Sequence, residues 1–100
     1  GSWERVAGTN QASGVAATVL YSGEKWGDAF EVLVDRIPRG TTCQLMVVHP
    51  DGTRTQVAAW TTASDEGAVW YAGSMATSAG AIGQFQITAD NQVLVAVDPT

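Results

Sequence analysis

A single cysteine, Cys43, stands in the 100-residue chain, so no internal disulfide can form. There is also one histidine, His49, and one lysine, Lys25. Charged residues make up only 15% of the chain, with five Lys and Arg against ten Asp and Glu, for a formal net charge of −5. Five cations cannot line a phosphate backbone, which argues against nucleic-acid binding. Leucine occurs four times and isoleucine three times. That shortage excludes a coiled coil or helical bundle, which draws on Leu, Glu and Lys. No apolar run approaches the roughly eighteen residues of a membrane-spanning helix. What is present is alanine (15), valine (12) and threonine (11). With 45% hydrophobic residues, this is the composition of one acidic, β-rich globular domain.

The ends read differently from the middle. Gly1-Ser2 resembles the remnant of a tag-cleavage site. With no initiator Met and no signal peptide, the chain reads as a piece of something longer. Residues 3–14 are polar and Gly-rich, the pattern of a linker or a loosely held first strand. The expected division is therefore residues 1–14 as remnant and linker and residues 15–100 as the folded domain.

From residue 15 onward the period is two. Val15, Ala17, Val19 and Tyr21 share one face of a first strand. Phe30, Val32 and Val34 share a face in residues 28–37, and Cys43, Leu45 and Val47 do so in residues 42–49. His49-Pro50-Asp51-Gly52 is the strongest local signal. Pro presets the first turn position, Asp suits the second and Gly supplies positive φ, as in a hairpin built on a type I turn with a bulge. It joins residues 42–49 to 53–60, where Thr53, Thr55, Val57 and Ala59 alternate with Arg54, Gln56, Ala58 and Trp60. Further strands are expected at 69–76, 84–88 and 93–97, the last with Val93, Val95 and Val97 on one face. Residues 77–83 read as a crossover or one helical turn, and 89–92 as a turn with Asn91 left-handed. About seven short strands without a convincing helix predict an all-β fold. The expected form is a single antiparallel β-sandwich, immunoglobulin-like, with the 42–60 hairpin at its centre.

Residues able to carry chemistry are few. Ser22, Ser64, Ser74 and Ser78 are hydroxyls in or near loops, but no nucleophile-elbow motif surrounds them. Cys43 is in phase with Leu45 and Val47, the setting of a buried, inert thiol. It shares a strand face with His49, about 20 Å away along extended chain, too far for one metal. Glu31 and Asp35 share a face about 13 Å apart, too far for a shared proton. Asp65-Glu66-Gly67 is an acidic loop pair suited to a weak calcium or partner contact. No triad, metal cluster or phosphate loop can be assembled, so no enzyme activity and no cofactor are expected. The aromatics are numerous. Trp60 closes a regular alternation and reads as core. Trp26 precedes Gly27 where an indole can cover the core's end. Trp70 and Tyr71 adjoin a loop and point to opposite faces if extended, so this pair is the candidate partner-binding patch.

One set of spacings is familiar as a set. Gly14-Val15, Trp26-Gly27, Pro38-x-Gly40-Thr41-x-Cys43-x-Leu45, Asp51-Gly52, Trp60, Tyr71-x-Gly73-Ser74, Phe85-x-Ile87 and Val93-Leu94-Val95 occur in order. Over residues 14–97 the chain resembles the extracytoplasmic C-terminal domain of actinobacterial anti-sigma factors of the zinc-binding type. The resemblance implies a full protein with a cytoplasmic zinc-binding domain that holds the sigma factor, then one membrane helix, then this domain. It implies an extracytoplasmic, membrane-anchored place and a role in transcription regulation and signal transduction. Regulated cutting by a site-specific protease, or contact with an extracytoplasmic regulator, would release the sigma factor. Residues 3–14 would connect to the membrane helix. The zinc motif and the sigma-factor contact belong to the cytoplasmic part, so no metal is carried over here. A second reading is a secreted carbohydrate- or cell-wall-binding sandwich that uses exposed Trp and Tyr.

Overall fold

The computed structural model describes residues 2–64, 66–76 and 80–99. Eight strands are present: β1 (Glu4–Thr9), β2 (Ala16–Glu24), β3 (Gly27–Asp35), β4 (Thr42–Val48), β5 (Arg54–Thr61), β6 (Trp70–Met75), β7 (Gln84–Ala89) and β8 (Gln92–Val97). They form two four-stranded sheets, ordered β1-β2-β3-β6 and β5-β4-β7-β8. Every pairing is antiparallel. The chain crosses between sheets after β3, β5 and β6, which sets β6 beside β3 and β7 beside β4. That is the Greek-key order of an immunoglobulin-like sandwich. The expected fold class is thus the observed one.

The inner faces follow the alternation read from the sequence. Val19, Phe30, Val32 and Val34 of the first sheet face Leu45, Val47, Phe85, Ile87, Val95 and Val97 of the second, all essentially inaccessible. Burying each such side chain contributes about 1.5–3 kcal/mol. Phe85 sits at the centre, 5.2 Å from the Tyr21 ring and 6.1 Å, edge-on, from Phe30. The valine-rich composition fits this core because β-branched side chains pack well on a pleated surface. The Pro50-Asp51-Gly52 turn forms as expected. The Gly52 N–H donates to the His49 carbonyl at 2.9 Å, and Gly52 holds φ at +88°. Asp90 and Asn91 both take positive φ, the two-residue turn that matches hairpin twist.

Four details differ from the sequence reading. Residues 4–9, read as part of a linker or a loose first strand, form β1 and pair with β2 at six positions. Only Val6 of β1 is buried, which explains the weak signal. The hairpin is not central as a whole: β4 is interior, but β5 is an edge strand. Ala59 does not share the inner face with Val57. Leu45 pairs with Ala58 and Met46 with Gln56, so Val57 is an extra residue that flips the phase and sends Ala58 and Trp60 inward. A similar irregularity makes Leu94 extra in β8, and Val93 is 45% exposed instead of joining Val95 and Val97. Of residues 77–83, read as a crossover or one helical turn, 77–79 lie outside the described residues and 80–83 run as irregular chain without a helical turn.

The two sheets meet along both edges through glycine. At one seam Gly73 of β6 lies against the Val57–Ala58 bulge of β5. A Cβ there would overlap the Val57 carbonyl oxygen and come within 2.6 Å of the Ala58 Cβ. At the other seam a Cβ on Gly8 of β1 would lie 2.5 Å from the Ala96 carbonyl oxygen of β8. Asn10, just past β1, donates from Nδ2 to the Leu94 carbonyl at 2.9 Å. Both contacts need bare backbone, so Gly8→Ala and Gly73→Ala should each lower stability by about 1–3 kcal/mol through overpacking. Gly23→Ala meets only the Asp28 carboxylate at 3.6 Å. It should stay within about 0.5 kcal/mol of wild type. Urea unfolding of the three variants checks the contrast.

Candidate functional site

On the outer face of the first sheet the registers place side chains in rows across the strands. Ala7, Thr18, Leu33 and Trp70 form one row, and Arg5, Leu20, Glu31 and Ala72 the next. The face is therefore mostly small or apolar. The β5–β6 connection folds back over one corner, where Gly67, at φ +67°, rests on the Asp35 side chain. Beneath it is a groove of about 260 Å³, lined by Ala16, Thr18, Leu33, Asp35, Glu66 and Gly67. Its floor is apolar and its rim carries two carboxylates. Such a groove suits a partner that presents an apolar side chain next to a cation. Asp35 and Glu66 are brought together only by the crossover, so no local pattern could have paired them. Asp65 lies outside the described residues.

Trp70 and Tyr71 separate, as an extended pair must. Trp70 stands beside Leu33 on the outer face, 39% exposed. Tyr71 turns inward, stacks on Trp60 with ring centroids 5.0 Å apart, and accepts a 2.8 Å hydrogen bond at its hydroxyl from the Ala63 N–H. The candidate patch therefore reduces to Trp70, with Tyr71 serving the packing beneath. Trp60 is buried as expected, and its Nε1–H has no hydrogen-bond partner. Trp26 does not cover the core's end. It is 54% exposed in the β2–β3 turn, and Trp3 is 48% exposed. Next to Trp26, Gly27 approaches the β6 backbone so closely that a Cβ would overlap the Met75 carbonyl oxygen.

The remaining candidates are engaged singly. Ser22 is buried and donates to Glu24 Oε1 at 3.0 Å. Ser64 Oγ accepts from the Glu66 N–H at 3.2 Å, and Ser74 is exposed. Ser78 lies outside the described residues. His49 Nε2 is 2.9 Å from Thr55 Oγ1, across the hairpin, and meets none of these serines. Glu31 and Asp35 project from different rows of β3. Among the described residues, no three His, Cys, Asp or Glu side chains gather as a metal site would require. No family model, curated protein or solved structure matches the chain. What the fold and surface define is a β-sandwich whose outward features are grooves.

Two titrations follow from this geometry. Cys43 is fully buried with its Sγ 3.7 Å from Thr62 Oγ1, and burial pushes the thiol above its ordinary 9.0. The folded thiol therefore stays protonated where an unfolded one ionises. Its contribution to stability is complete below pH 9.0 and is lost as pH rises through the raised folded value. Wild type should lose stability more steeply above that pH than Cys43→Ala, which itself costs about 1–2 kcal/mol at neutral pH. Thiol labelling should track unfolding. Asp51 shifts the other way, because Thr53 donates to its Oδ1 from Oγ1 at 2.7 Å and from N–H at 3.0 Å. Its contribution is present above 3.8 and is lost as pH falls through the lowered value. An NMR titration should show Asp51 below 3.8 in wild type and moved upward in Thr53→Ala.

Proposed function

We propose that the chain is a non-catalytic, extracytoplasmic regulatory domain of the kind found in membrane-anchored anti-sigma factors, controlling release of a sigma factor through regulated proteolysis. The ordered motifs of residues 14–97 support the family reading, and several sit where the fold needs them. Gly40 and Gly52 hold positive φ in turns, Gly73 closes a seam, and Trp60 packs inside. The sigma factor would be bound by the cytoplasmic part of the full protein. The partners on this side would be a site-specific protease or an extracytoplasmic regulator.

The observation that carries the mechanism is β1. It is an outer strand with one buried side chain, Val6, yet it closes the seam to β8 through Gly8 and Asn10. Chain entering from the membrane side would reach the sandwich through this strand. While β1 is paired, residues 4–9 are held in a sheet and are poor protease substrates. Releasing β1 would lengthen the accessible tether to about Gly14, at the end of the turn in which the Gly14 N–H donates to the Asn10 carbonyl. A ligand regulates the cut only if it binds the paired and released forms differently.

The test is to map the first cut in the full-length membrane protein with and without inducing stress. The reading expects that cut ahead of residue 15, and higher basal cutting when Gly8→Val loosens β1. Cutting unchanged by deletion of residues 15–97, or a first cut inside the 42–60 hairpin, would overturn it.

A further inference from the structure

We propose that the outer face of the β5-β4-β7-β8 sheet is a binding site for a neutral carbohydrate. This site lies on the opposite side of the sandwich from Trp70, and the inference does not depend on the regulatory reading. The registers place Gln44 beside Thr88, Met46 between Gln56 and Gln86, and Val48 between Arg54 and Gln84. Four glutamines thus stand on one face of one sheet. Above it is a shallow groove of about 350 Å³, lined by Gln44, Met46, Arg54, Gln56, Asp90 and Asn91. That volume falls within the usual range of small-molecule sites, about 300–1,000 Å³.

Several of the polar groups on this face are oriented in advance. Arg54 Nη1 donates to Gln86 Oε1 at 3.3 Å, Gln86 Nε2 donates to Gln84 Oε1 at 3.0 Å, and Gln84 Nε2 donates to Asp98 Oδ1 at 3.3 Å. Thr88 Oγ1 donates to Gln44 Oε1 at 3.0 Å, which leaves the Gln44 NH2 to donate outward. Gln56, Asp90 and Asn91 have no side-chain hydrogen bond to other described residues, so their groups are open to a ligand. Asp90 and Asn91 are pinned in a tight turn by their positive φ. A ligand would therefore meet Arg54 and Gln44 with their side chains already held by the fold, which lowers the ordering cost of binding.

The chemistry of these groups selects the ligand. A sugar hydroxyl both donates and accepts, and the groove offers donors from Gln44 and Arg54, an acceptor in Asp90, and both in the Gln56 and Asn91 amides. One cation and one anion balance, so the groove has no preference for a charged ligand. Met46 supplies an apolar surface for the C–H face of a ring. A peptide adding as a strand would need a free edge, and the β5 edge beside this face lies against Gly73.

The experiment is an amide-detected NMR titration of this chain with neutral di- to tetrasaccharides built from glucose, galactose, mannose or N-acetylglucosamine. At least one should shift the side-chain NH2 signals of Gln44, Gln56 and Asn91 in a saturable way. Gln56→Ala and Asn91→Ala, both exposed positions, should each weaken that binding by about tenfold while the spectra keep native dispersion. Trp70→Ala should bind as wild type does. No shift with any of these sugars up to about 10 mM, a range that detects even millimolar binding, overturns the proposal. So does binding that survives both amide variants, or that is lost in Trp70→Ala.

Discussion

Two places where backbone lies directly on backbone hold the sandwich together as one object. At Gly73 and Gly8 the sheets approach more closely than side chains permit. Sheets packed face to face through side chains stand about 10 Å apart and leave open seams at both edges. Here each seam is pinched by a glycine, and the enclosed space is a slot bounded on four sides. Small, branched side chains fill such a slot well, and valine supplies much of it: Val19, Val32, Val34, Val47, Val95 and Val97 are all essentially inaccessible. Phe85 and Phe30 pack edge-on within it, their ring centroids 6.1 Å apart.

The bulge in β5 belongs to the same constraint. It turns Ala58 inward and sets the Val57 carbonyl and Ala58 Cβ against Gly73 of β6. The phase change it causes carries Trp60 inward as well, where Trp60 stacks on Tyr71. One extra residue thus sets the seam and the buried tryptophan. The alternation of β6 turns Tyr71 inward to meet it and leaves Trp70 on the outer face. The division between packing aromatics and surface aromatics follows from strand phase rather than from residue type.

Much of this was legible in the sequence, because a two-residue period reports directly which face is buried. β2, β3, β4 and β7 and the Pro50-Asp51-Gly52 turn could be read that way. The bulges could not, since an extra residue in one strand is defined by its partner's register, which a single segment does not contain. β1 was obscure for a different reason. Its stability comes from the β2 edge and from β8, with Val6 as its sole buried side chain. The groove surroundings were the least legible part. Asp35 and Glu66 in one groove, or Gln44 and Asp90 in the other, are neighbours only through crossovers and turns that bring distant segments together.

The pairing of β1 with β2 also has a mechanical side. Six register pairs join the two strands, with β1 running antiparallel to its neighbour. A pull on the N-terminal end along the strand axis loads all of those pairs at once, in shear. The same pull directed sideways, away from the sheet edge, loads only the outermost pair and opens the rest in turn, like a zipper. The strand is therefore a strong attachment in one direction and a weak one in the other. The angle at which the preceding chain arrives, as much as the size of any force on it, decides whether β1 stays in the sheet.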